Sequence, residues 1–144
     1  MRFVDTNILL YAVSTDAKGA VEMRIARGLL EAEDLALSVQ VLQEFYVQAS
    51  RPTRTGSLSH DQAVALDEAF LRFPAQELTV LVMRAAMETS KRFQISYWDA
   101  SVIEAARAIG CRTLLSEDLA DGRDYGGVRV ESPFRSPTKR PRTS

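Results

Sequence analysis

Four carboxylates of this chain stand where acids can do chemistry: Asp5, Glu44, Asp99 and Asp118. Asp5 closes the apolar pair Phe3-Val4 and is followed by Thr6, Asn7 and a second apolar run. That pattern reads as a buried strand ending at Asp5, a tight turn, and a helix starting near Asn7. Asp118 comes just past Leu114-Leu115-Ser116-Glu117, beyond the carboxyl end of a second strand. Open α/β sheets bind ligands at the carboxyl ends of their strands, so two acids on that edge can act on one ligand. Glu44 borders an apolar helical stripe beside Val41 and Phe45, where a half-desolvated carboxylate needs a partner. Asp99 follows Tyr97-Trp98 in the first turn of another helix.

Each acid also has an ordinary structural role open to it. Asp5 can cap a helix, since its side-chain oxygens accept orphan backbone N–H bonds. Glu44 can reach from the stripe into water. Asp99 can complete a capping box with Ser96 and favour the helix dipole. Asp118 can be a plain loop acid. The link Gln94-Ile95-Ser96 is too short to show which sheet edge the Asp99 helix starts from. The one histidine, His60, opens a helix far from every acid motif, which assigns it a structural role and leaves no Ser/His/Asp arrangement.

The elements that must position these acids alternate. A helix over about 7–13 and a polar loop at 14–19 precede a helix carrying Val21, Ile25, Leu29 and Leu30, which runs to about Glu33. Leu35-Ala-Leu37 is a short buried strand. Ser38 caps a helix with the stripe Val41, Leu42, Phe45, Tyr46 and Ala49. Residues 51–57 form a loop. Ser59 and Gln62 make a capping box for a helix carrying Ala63, Leu66, Phe70 and Phe73, with Pro74 ending it. Glu77-Leu-Thr79 reads as a strand and Val80 to Phe93 as a helix. The Asp99 helix carries Val102, Ile103, Ala106 and Ile109 and stops at Gly110. Thr113-Leu-Leu115 and Val128-Arg-Val130 are the last strands. Short buried strands alternating with amphipathic helices mean a parallel sheet covered on both faces.

The 144 residues are a single-domain length. Basic and acidic residues number 18 and 19, so overall charge points to neither a nucleic-acid nor a membrane partner. The four basic residues of 133–144 come with no acid, and without them 14 basic face 19 acidic residues. The chain is therefore expected to divide into a folded domain over 1–132 and a basic, unstructured tail over 133–144. The lone cysteine, Cys111, excludes an internal disulfide and fits a cytoplasmic protein. No apolar run reaches the ~18 residues of a membrane span. A first strand beginning at residue 2 leaves no room for a signal peptide.

Four segments taken together resemble the PIN domain, and within it the VapC-type toxins of bacterial toxin–antitoxin pairs. They are Val4-Asp-Thr-Asn-Ile-Leu-Leu10, Glu44 in its helix, Trp98-Asp-Ala-Ser-Val-Ile-Glu-Ala-Ala106, and Leu114-Leu-Ser-Glu-Asp-Leu119. The resemblance spans about residues 1–131. It implies a three-layer α/β/α sandwich around a parallel sheet of about five short strands, with the acids grouped in one pocket. Asp5, Glu44, Asp99 and Asp118 match the four acidic positions, as catalytic and metal-holding residues. Thr6, Asn7 and Ser116 match the supporting positions. The last segment reads Ser-Glu-Asp where many members have Thr-x-Asp, which leaves open whether Glu117 or Asp121 joins the site.

Carboxylates so grouped repel one another unless a cation neutralises them, and hard oxygen donors select Mg²⁺ or Mn²⁺. One or two ions would serve. Such ions activate water and stabilise charge on a phosphoryl group, which is the chemistry of phosphodiester hydrolysis. The resemblance thus implies a metal-dependent endoribonuclease with RNA as substrate and an antitoxin as partner. The motifs alone also allow single-stranded DNA. A phosphoaspartate phosphatase wants a second Asp where Asn7 stands, and no Gly-x-Gly or P-loop supports nucleotide binding. A catalytically silent RNA-binding or antitoxin-binding module of the same fold is expected to have lost acids, and all four are here. The aromatic residues around Leu42, Phe45, Tyr46 and the 59–73 helix offer surface for an antitoxin and for a homodimer.

Overall fold

A computed structural model describes residues 1–134. The expected tail begins inside that range, and its residues 135–144 lie outside the described residues. Five parallel strands form one sheet in the order β3-β2-β1-β4-β5. They are β1 (Arg2–Val4), β2 (Leu35–Ser38), β3 (Ala75–Gln76), β4 (Thr113–Leu115) and β5 (Arg129–Glu131). Six α-helices connect them: α1 (Thr6–Ala12), α2 (Ala20–Leu30), α3 (Val39–Ala49), α4 (His60–Phe70), α5 (Val80–Phe93) and α6 (Tyr97–Ala108).

Phe3, Val4, Leu35, Leu37, Leu114 and Val130 are fully buried. Strands made of such residues have no solvent face to offer, so helices must cover both sides. Parallel strands joined right-handedly meet that need. The chain moves from β1 to β2 to β3 in one direction, and α1 to α4 pack among themselves. It then returns past β1 to β4, which sends α5 and α6 to the opposite face, packed on each other. The result is the three-layer α/β/α sandwich. The reversal also opens a crevice between the carboxyl ends of β1 and β4, where ligands of such sheets bind.

Several boundaries differ from the sequence reading. The edge strand is Ala75–Gln76 and not 77–79, because the Pro74 carbonyl already accepts from Leu37 N at 3.0 Å. Proline lacks a donor but can join an edge ladder as an acceptor. Thr79 instead caps α5, its hydroxyl accepting from Val82 N at 3.1 Å. α4 stops at Phe70, and Phe73 lies in the following turn, still buried. Gly110, with φ +91°, is left-handed just past the end of α6, the conformation that glycine adopts without strain.

Most of the aromatic surface expected on α3 and α4 is core, while Tyr46 is half-buried. Leu42, Phe45, Phe70 and Phe73 are buried, and the rings of Phe45 and Phe70 meet edge to face at 5.1 Å. Large exposed apolar residues stand elsewhere, among them Leu78, Val80, Leu81, Met83 and Met87 at and along α5, and Trp98 at the start of α6. Phe134, at the end of the described residues, lies edge-on against Tyr11, with ring centroids 4.8 Å apart. Among the described residues no helix is long and apolar enough to cross a membrane.

Candidate active site at the crevice between β1 and β4

Asp5 is the floor of the site. Its backbone N–H donates to Leu115 O at 3.0 Å, which joins the end of β1 to the end of β4. Its side chain is the N-cap of α1: Oδ1 accepts from Thr6 N at 2.7 Å. The other oxygen, Oδ2, accepts from the Ser116 hydroxyl at 2.8 Å. The cap and the site are therefore one residue, not competing assignments. Ser116 Oγ accepts in turn from Asp118 N at 3.2 Å, which fixes the start of the loop carrying Asp118.

On the other side, the Thr6 hydroxyl donates to Glu44 Oε2 at 2.8 Å. Gln40 Nε2 donates to Glu44 Oε1 at 3.1 Å, one helical turn away on α3. Ser101 Oγ donates to Gln40 Oε1, tying α3 to α6 two residues after Asp99. A continuous line of polar contacts thus runs from the β4 loop through Asp5, Thr6 and Glu44 to α6. Gln40 and Ser101 are buried, and the sequence reading named neither. The signal was present: Gln40 is a polar residue four before Glu44 on a face otherwise committed to the core.

Asp99 reaches this edge through topology. β4 starts at the sheet edge remote from the site, and only four residues separate it from the end of α6. α6 therefore ends at that remote edge and starts at the site edge. Ser96 Oγ accepts from Asp99 N at 3.1 Å, but the returning bond of a capping box is not made, unlike the complete box of Ser59 and Gln62. The Asp99 carboxylate keeps a side-chain hydrogen bond with Ser96 and also feels the charges of Asp118 and Glu44.

The charges of Asp118 and Glu44 act on both Asp5 and Asp99. Burial pushes the Asp5 carboxyl up from 3.8 to about 6, and the charges of Asp118 and Glu44 add to the rise against the bonds from Ser116 and Thr6. Asp99 is raised by burial against a hydrogen bond with Ser96, and the same two charges add to the rise. Exposure grades outward: Asp5 is buried, Glu44 and Asp99 are half-buried, and Asp118 is exposed at the mouth.

The other residues named from sequence take these places. Glu117 accepts from the Tyr11 hydroxyl at 2.7 Å, and Asp121 accepts from Ser132 N at 2.8 Å. Both polar atoms of the Asn7 amide are buried without a hydrogen-bond partner. His60 pairs with the Tyr46 hydroxyl at 2.8 Å on the surface, a structural contact. As the side chains stand, no three acidic, histidine or cysteine residues among those described form a ready cage for a metal ion. The donor chemistry does fit one: every candidate ligand is a hard oxygen, and their charges already work against one another.

The profile of the PIN domain family matches residues 2–120. This chain belongs to the PIN domain family. Among solved structures it is similar to a toxin–antitoxin complex from Klebsiella pneumoniae, with TM-score 0.68 and 19% identity over 94% of this chain and 100% of that one. It is also similar to Mycobacterium tuberculosis VapC20, a sarcin-ricin loop cleaving toxin, with TM-score 0.61 and 21% identity over 79% of this chain and 87% of that one. DNA-bound VapBC from Salmonella typhimurium gives TM-score 0.64 and 17% identity over 92% and 97%. At these identities the likeness is one of PIN fold. Comparison with curated protein sequences gave no match.

Proposed function

We propose that this PIN domain is a metal-dependent endoribonuclease that hydrolyses RNA phosphodiesters and serves as the toxin of a VapBC-type toxin–antitoxin pair. The observation that carries the reading is the buried Asp5 carboxylate at the end of β1, linked through Ser116 to the Asp118 loop and through Thr6 to Glu44. A structural cap has no need of two further acids close enough to raise its carboxyl. Its structural neighbours, two of them toxin–antitoxin or VapBC complexes and one a sarcin-ricin loop cleaving toxin, support the substrate class and the antitoxin partner.

Asp5, Asp99, Asp118 and Glu44 would hold one or two Mg²⁺ or Mn²⁺ ions. Bound there, such an ion supplies activation of water and neutralisation of phosphoryl charge. The protein's own part is orientation. The Ser116 hydroxyl and Thr6 N–H hold Asp5 as an acceptor and so favour its ionised form. The Thr6 hydroxyl and the Gln40 amide hold the Glu44 carboxylate from two directions. Exposed Asp118 marks the side from which a substrate phosphate enters.

The experiment is cleavage of single-stranded RNA by the isolated chain with added Mg²⁺ or Mn²⁺, with EDTA, and as the Asp5→Asn variant. Cleavage in the presence of either metal that disappears in the other two conditions is expected. Intact RNA under every condition would favour a silent binding module, and cleavage confined to single-stranded DNA would move the substrate class. We place the protein in the cytoplasm as a homodimer in its free state. A single monomeric species in sedimentation at micromolar concentration would count against the dimer.

A further inference from the structure

Beside the acids lies a pocket of about 480 Å³ that the chemistry above does not use. Asn7 and Tyr11 of α1, Lys18 before α2, Arg54 of the 51–57 loop and Glu117 line it. Asn7 follows Thr6 and Glu117 precedes Asp118, so the pocket and the acids share a wall. Its size suits one small-molecule group. We propose that it receives the unpaired nucleotide next to the phosphodiester presented to the acids, with the base stacked on Tyr11 and its edge read by Asn7. This rests on the ribonuclease reading and adds a base preference to it.

Three observations carry the assignment. The Asn7 amide has a donor beside an acceptor and neither is engaged, so turning it toward a ligand breaks no bond. A donor beside an acceptor is the complement of a nucleobase edge. Tyr11 is held from two sides, its hydroxyl bonded to Glu117 and its ring against Phe134, which makes a fixed aromatic wall of the kind unpaired bases stack on. The 51–57 loop that carries Arg54 packs closely on the α1–α2 connection: at Gly56, with φ +72°, an added Cβ would clash with the Thr15 hydroxyl. Lys18 and Arg54 can meet a phosphate, while Asp16 and Glu22 on the same rim cancel their charge. Selection therefore falls to the ring and the amide rather than to general attraction for phosphate.

The test is titration of the full chain with AMP, CMP, GMP and UMP, followed by the backbone amide signals, so that no cleavage is needed. We expect shifts at Asn7, Lys18 and Thr55, with at least about fivefold difference in affinity between the best and worst base. Arg54→Ala should weaken the best nucleotide about fivefold, Asn7→Leu should flatten the base preference, and Lys91→Ala should change neither. Equal binding of all four, shifts confined to other surfaces, or a preference that survives Asn7→Leu would overturn the pocket. RNA cleavage without pocket binding overturns this inference and spares the nuclease. Base-selective binding here by a chain that cleaves no RNA supports the pocket and removes the nuclease.

Discussion

Ser116 and Asp5 lie 111 positions apart in sequence, and a 2.8 Å hydrogen bond joins the hydroxyl of one to the carboxylate of the other. That bond stabilises the charged form of Asp5 against burial and two neighbouring charges. Ser116→Ala should raise the Asp5 carboxyl further and leave one of its oxygens unpaired. The pH at which RNA cleavage rises should move upward, read from kcat/KM profiles of the two proteins. A profile that keeps its position, whatever its height, would deny the hydroxyl this role.

Asp5 makes stability depend on pH in a stated direction. Its carboxyl titrates at about 6 in the fold against its ordinary 3.8, so the fold favours the protonated form. Its contribution is fully present below about pH 4 and is lost as pH rises through 6. Above that the ionised group costs about 3 kcal/mol. Asp5→Asn should therefore be more stable than the wild type at pH 8 and close to it at pH 4, by urea denaturation at both. Asparagine caps helices about as well, so the cap itself is preserved.

Mg²⁺ should stabilise the wild type by mass action, since an ion that binds only the folded state raises its melting temperature. Asp5→Asn should respond much less. An equal response in the variant would remove Asp5 from the metal site, whatever its effect on cleavage.

Away from the site, Arg107 holds Glu104, which is only 6% exposed, at 2.9 Å and also donates to the carbonyls of Tyr125 and Gly126. It thereby pins the loop before β5 to α6. Arg107→Ala strands a buried carboxylate with only the Thr89 hydroxyl for company and should cost about 3 kcal/mol. Adding Glu104→Gln should recover part of that loss in the same denaturation experiment. Two losses that simply add would show that the pair is not coupled.

The sheet and Asp5 and Asp118 were legible because apolar runs end at them, and a strand end is a local signal. Asp99 was not, because its position depends on where β4 begins, which only the strand order fixes. Gln40 and Ser101 escaped notice because buried polar residues make sense only with their partners, and those lie on different helices. Pro74 misled twice: the helix had already stopped at Phe70, and the Pro74 carbonyl accepts from β2 directly before β3 begins. The aromatic residues of α3 and α4 looked like spare surface because their mutual packing is a long-range fact, and the exposed apolar residues of α5 went unremarked.

The place of β4 has a consequence for the cell that makes this protein. It is fourth in the chain but lies against β1, and the loop directly after it carries Ser116 and Asp118. At about 5–20 residues per second, the first three strands are made seconds before the strand that finishes the site. A nascent chain therefore carries its acids unassembled while it is being translated. Until residues 113–118 have been made, the Asp5 carboxylate lacks its Ser116 donor and β1 lacks its neighbour on that side.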